Sequence, residues 1–308
     1  MHPAYSVIFF TTSSGFGYGL AFWILILSLT KVVHDQWLGG IGLMIALAAI
    51  ASGLLASTMH LGNPGRAWRA FSQWRSSWLS REGVAAVLSL VFISLAWLGM
   101  VTDVKGTFWV ASSWLGILTA ITTVLCTGMI YQSLKPIAAW QSRLTTPVYL
   151  IYAILTGGFA SAALASFFDS EGQLPATFSV VAAITLASMK ISYWKRASRV
   201  ISLTPESATG LGKLGKVRQL EAPHATANYI NKEMGFKVAR KHSEKLRTVV
   251  LCMGFLAPVI LGLIGILNDG LSQVMWSIAA LLSIGGAVVE RWLFFAEAKH
   301  AVSAFYSS

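Results

Sequence analysis

Two ionisable residues bracket the most chemically suggestive stretch of this chain. His60 stands in Met59-His60-Leu61-Gly62-Asn63-Pro64-Gly65-Arg66-Ala67-Trp68-Arg69-Ala70-Phe71, and Glu82 ends the run Trp74-Arg75-Ser76-Ser77-Trp78-Leu79-Ser80-Arg81-Glu82. Gly62 and Pro64 are residue types that end helices, so they place His60 in the last turn of one helix, and Glu82 then opens the next. Imidazole changes charge near neutral pH, and a nearby carboxylate can orient it or pass its proton on. Each group also has a plain structural use. A cation is favoured at a helix C-terminus and a carboxylate at an N-terminus. What sets the stretch apart is the combination: an imidazole, a carboxylate, several arginines and three tryptophans at one level. A second cluster closes the chain, with Glu290, Arg291, Glu297, Lys299 and His300. Its Glu290 and Arg291 read as an ion pair in apolar surroundings, as a contact with the first site, or as side chains snorkelling to an interface.

The elements that must position these residues follow from composition. Of 308 residues, 55% are apolar and only 11% are charged. Soluble domains carry about 25% charged residues, so a soluble globular protein, a disordered chain and a secreted disulfide scaffold are all excluded. Cys126 and Cys252 lie in apolar runs, and two thiols are too few for an iron–sulfur cluster, which takes about four. Eight nearly uncharged runs follow one another, at 5–30, 37–59, 83–101, 107–131, 145–168, 174–194, 248–268 and 273–295. Each can cross a hydrocarbon core of about 30 Å as a helix. Helix is required because lipid offers the backbone no hydrogen-bond partner, and the alternating pattern of a membrane barrel is absent. The first run is too long for a cleaved signal and lacks a basic start, so it counts as a span. The fold expected is an all-α membrane protein, an eight-helix bundle forming a single integral domain over 1–308. Tryptophan and tyrosine are abundant, as interfacial belts and bundle cores both require.

Charge orients the bundle. Loops 1–2, 3–4, 5–6 and 7–8 define side A; both termini and the other loops define side B. Side A holds two basic residues and five acids, a net of −3; side B holds 21 and seven, a net of +14. By the positive-inside bias, side B and both termini are cytoplasmic, in a multi-pass protein of a bacterial inner membrane. Residues 195–247 form a long basic side B loop, with Lys213, Lys216, Arg218, Lys237, Arg240 and Lys241. Together with Arg69 and Arg75 it reads as a docking surface for a cytoplasmic partner, or as a segment drawn to anionic membrane lipid. Nucleic acid is not expected as a partner. Gly210-Leu-Gly-Lys-Leu-Gly matches a nucleotide-binding pattern, but no strand precedes it, so it reads as a turn.

A quinone suits the first cluster. Its head needs a hydrogen-bonding group at each carbonyl, a proton relay and an apolar slot. The candidate quinone-binding residues are His60, Gly62, Arg66, Trp74, Trp78, Ser80 and Glu82, with Trp74 and Trp78 as walls. Glu290, Arg291 and His300 form a possible second cluster. No metal site is expected. Haem b would need two facing histidines within spans, and none of the six lies at mid-depth. A transporter would show a charge at mid-depth without a partner or an internal repeat, and neither is evident.

The motif Met-His-Leu-Gly-Asn-Pro-Gly-Arg-Ala, the glutamate 22 residues after the histidine, the eight-span layout and the ending Glu290-Arg291-Trp292-Leu293-Phe294-Phe295 together resemble the membrane anchor subunits of dimethyl sulfoxide reductases. The resemblance covers essentially the whole chain. The long basic insertion looks more like that of membrane-bound sulfite dehydrogenase anchors, a sister branch. The resemblance implies a subunit without haem or metal that docks a four-cluster iron–sulfur subunit and a molybdopterin catalytic subunit. It implies electron exchange with quinone, ubiquinone ahead of menaquinone, with His60 and Glu82 as quinone-site residues. Sulfite oxidation with quinone reduction is the expected reaction, and dimethyl sulfoxide reduction by menaquinol the alternative.

Overall fold

The computed structural model describes residues 5–32, 35–58, 64–199, 204–217, 220–221 and 241–301, and among them there is no strand. Eight helices among the described residues are long and apolar enough to cross a bilayer, so this is an integral membrane protein. They are α1 (Tyr5–Leu29), α2 (Gln36–Thr58), α3 (Trp78–Val101), α4 (Thr107–Gln132), α5 (Thr145–Phe167), α6 (Gln173–Arg199), α7 (Ser243–Leu267) and α8 (Asp269–Ala296). Two of them begin about a turn before the apolar run does. In α3 the extra turn carries Arg81 and Glu82; in α7 it carries Glu244, Lys245 and Arg247. Polar side chains can end in the headgroup zone while the backbone keeps its helical bonds, so a helix outlasts its apolar stretch.

Side A is tightly capped. Asp35 Oδ1 accepts the Leu38 N–H at 2.8 Å and caps α2. The C-terminal ends of α1, α3 and α5 close alike, with Val32 N–H to Leu27 O, Val104 N–H to Gly99 O, and Ser170 N–H to Ala165 O, at 2.9–3.0 Å. This six-residue closure needs a left-handed residue at its corner. Lys31, Asp103 and Asp169 supply it, with φ of 58°, 55° and 48°. Glycine is the usual choice there, which is why composition alone does not reveal these caps.

The helices form two bundles of four with the same neighbour relations. In the first, α1 packs on α2 and α4, and α3 on the same two; in the second, α5 packs on α6 and α8, and α7 on those two. The bundles join along α1 and α4 on one side and α5 and α8 on the other. The α1–α5 crossing is in backbone contact: a Cβ on Gly19 would collide with the Ala153 carbonyl, and one on Gly157 with the backbone of Gly19. Membrane helices associate through such small-residue contacts because lipid removes the hydrophobic drive between them. Leu, Val and Ile cover the outer faces, for example Leu88, Val91 and Leu98 on α3.

Within α7, residues Val250–Leu256 widen into a π-helix just before Pro258. The proline lacks an N–H and its ring crowds the carbonyl four residues back, so a wider turn there relieves both. On side B, Trp140 Nε1 donates to Phe294 O (2.9 Å) and Ala301 N–H to Pro136 O (2.9 Å), which ties the α4–α5 segment to the end of α8. The Gly210–Gly215 stretch is a turn after a short helix, Pro205–Thr209, with Gly210 left-handed at its end. The long loop's remaining docking candidates Arg218, Lys237 and Arg240 lie outside the described residues.

Candidate functional site

The Glu82 site is assembled from the first turns of α3. Ser77 caps the helix through the Ser80 N–H at 3.5 Å. The preceding 3-10 helix, Pro64–Gln73, is fastened back onto α3: Ser80 Oγ donates to Ala70 O, and Arg81 donates to the carbonyls of Trp74 (3.0 Å) and Arg75 (2.7 Å). The Arg81 guanidinium also lies 4.2 Å from the centre of the Trp78 ring, a cation–π contact. These ties place Glu82 one turn into the helix with 6% of its surface exposed. Its partner is a hydroxyl: Thr127 Oγ1 of α4 donates to Glu82 Oε1. The same hydroxyl lies 3.0 Å from Thr123 O. It can therefore donate to the carboxylate, or turn to the carbonyl and accept from a protonated carboxyl. Both protonation states of Glu82 keep a hydrogen bond, which a proton-exchanging group requires.

The second cluster is also brought together, around a residue that the apolar pattern hides. Lys190 of α6 donates to Glu290 Oε1 at 2.5 Å, and Arg291 Nη1 lies 3.3 Å from Glu290 Oε2. All three side chains are buried, at 2%, 0% and 3% exposure. Two cations share one carboxylate, and aromatic faces take up the excess. Arg291 sits 3.5 Å from the Tyr149 ring centre, and Lys190 lies 4.2 Å from that of Tyr193. Lys190 escapes notice in sequence because one lysine barely lowers the hydropathy of its run. The signal available was its need for a counter-charge, which an ionisable residue inside a span nearly always has.

The other predicted residues separate into groups. Trp78, Ser80 and Glu82 stand together on α3. Arg66, Arg69, Trp74 and Arg75 lie on an exposed side B face, with Arg69 over Trp68 and Arg75 over Trp74. His60 and Gly62 lie outside the described residues, just beyond the last described turn of α2. His300 is half-buried past the end of α8, and Lys213, Lys216 and Lys241 are exposed. Among the described residues, no group of three or more His, Cys, Asp or Glu could hold a metal.

The molecule is thus a membrane protein with eight spanning helices among the described residues and buried ionisable groups near the side B end of both bundles. It belongs to the DMSO reductase anchor subunit (DmsC) family, whose profile matches residues 1–296. It is also 32% identical to a sulfite dehydrogenase subunit of Allochromatium vinosum, over all of this chain and 99% of that relative.

Proposed function

We propose that this chain is the membrane anchor and quinone-reactive subunit of a heterotrimeric molybdopterin oxidoreductase. Docked on side B, an iron–sulfur subunit relays electrons from a molybdopterin subunit, and the anchor passes them to quinone. Full-length similarity to a sulfite dehydrogenase subunit supports sulfite as the substrate. The family description supports dimethyl sulfoxide reduction as the second reading. The observation that carries the quinone reading is the buried Glu82 carboxyl held by Thr127, one turn inside α3.

In this reading the His60 imidazole and the Glu82 carboxyl face the two ends of the proton traffic. The imidazole exchanges with solvent near neutral pH, and Glu82 hands protons to the quinone oxygen without losing its hydroxyl partner. The 3-10 helix and the long loop form the partner surface, with Arg69, Arg75, Lys213, Lys216, Arg218, Lys237, Arg240 and Lys241. A net positive side B face favours an acidic partner and the cytoplasmic orientation. The quinone is ubiquinone in preference to menaquinone.

The test is the His60→Ala variant of the purified complex. Sulfite oxidation coupled to a soluble dye should persist while coupling to quinone is lost. Undiminished quinone turnover would remove His60 from the site. Dimethyl sulfoxide reduction by the wild-type complex, with no sulfite oxidation, would favour the second reading.

A further inference from the structure

Between α1, α4, α5 and α8 lies a crevice of about 20 Å³, room for one or two water molecules and for no ring. Its wall includes Thr12 and Gly15 of α1, Thr127 of α4, Tyr149 and Tyr152 of α5, and Arg291 of α8. It therefore touches both ionisable clusters: Thr127 holds Glu82, and Arg291 belongs to the triad with Lys190 and Glu290. The lining hydroxyls Thr12 and Thr156 donate to their own helices, which leaves their oxygens as acceptors towards the crevice. Donors also face it. The Tyr149 and Tyr152 hydroxyls have no hydrogen-bond partner, although each residue is 96% buried. Leaving such groups dry costs about 1–3 kcal/mol apiece, and here two meet in one crevice. A polar opening with several donors and acceptors is where buried water is found.

We infer that this crevice holds one or two ordered waters that pass protons to Glu82, with Tyr149, Tyr152 and Arg291 as their wall. The inference rests on the quinone reading above. Reduction of one quinone takes two electrons, from the docked iron–sulfur reductant, and two protons. Each proton that leaves Glu82 for a quinone oxygen is replaced by one from crevice water through Thr127. The water is replenished from side B solvent, so Glu82 ends each cycle as it began it. That solvent is two turns from Arg291, where Glu297 pairs with Arg247 at 2.9 Å and both are partly exposed. The crevice is too narrow for the quinone itself, which separates the proton route from the substrate slot. Arg291, on the crevice wall beside Glu290, fixes the orientation of the nearest water.

Gly15 provides the test. A Cβ there meets open space, so a side chain can enter the crevice without displacing backbone. In the assembled complex, X-ray hydroxyl-radical labelling should mark Tyr149 and Tyr152 in the wild type despite their burial, and Gly15→Leu should abolish the marking. The same variant should slow quinone reduction about tenfold or more and raise its solvent isotope effect, while dye-linked activity stays unchanged. Gly15→Ala should match the wild type. Should Gly15→Leu fail to assemble, the Tyr149→Phe/Tyr152→Phe pair keeps the shape and removes the wall. It should show the same slowing. A dry crevice predicts an unchanged rate and equal or higher thermal stability for that pair. Tyrosines that resist labelling in the wild type, or a plugged crevice with a wild-type rate and isotope effect, would overturn the inference. If Glu82→Gln leaves quinone turnover intact, the quinone reading fails instead, whatever the labelling says.

Discussion

The two bundles bury charge at the same depth in opposite ways. In the first, Glu82 faces a single neutral hydroxyl. In the second, Glu290 is clamped between Lys190 and Arg291. The positions correspond: Thr127 and Arg291 each lie five residues before the end of their helix, Gln132 and Ala296. A carboxyl with a neutral partner that can donate or accept is free to gain and lose a proton. A carboxylate between two cations is not, because protonating it would strand both. On the proposed reading, exchange falls to the first bundle and a fixed field to the second, and substitutions can break or sharpen the contrast.

The largest effect is expected from Glu290→Leu. It leaves two buried cations uncompensated and should cost about 3–5 kcal/mol, seen as loss of the assembled subunit from membranes or a steep fall in thermal midpoint. Lys190→Met removes only the surplus cation and leaves Glu290 with Arg291, so it should cost clearly less in the same assay. If the two variants are equally harmful, the triad is not a two-to-one arrangement. Glu82→Gln should do the reverse: stability within about 1 kcal/mol of the wild type, but quinone turnover down at least about 100-fold. Thr127→Val should be milder, lowering turnover about tenfold, on the scale of one lost hydrogen bond to a charged group. The smallest effect lies outside both clusters. Lys31→Gly relieves a left-handed lysine and should raise stability by up to about 1 kcal/mol in thermal unfolding, with no change in turnover.

The spans were legible because a 20-residue apolar run has one physical solution in lipid. Their ends were less so: α3 and α7 continue through charged turns that look like loop in a hydropathy pattern. The left-handed corners at Lys31, Asp103 and Asp169 carry no compositional mark. Glu82 could be singled out from its spacing, and Glu290 with Arg291 from their place in the last span. Thr127 and Lys190 could not, since what makes each matter is a side chain on a distant helix. The repeated neighbour relations of the two bundles were likewise invisible, because packing order can recur without residue identity.

The closed turns of side A bear on how the protein can be elaborated. Their N–H and carbonyl groups are satisfied within three tight caps, and α7 passes to α8 through Asn268 alone. An inserted segment there would have to undo a cap. The side B connections, at 59–77, 133–144 and 200–242, are longer. New sequence can be accommodated there at a cost that rises only slowly with length. Divergence among such subunits should accordingly concentrate on one face, with the other kept as a smooth lid.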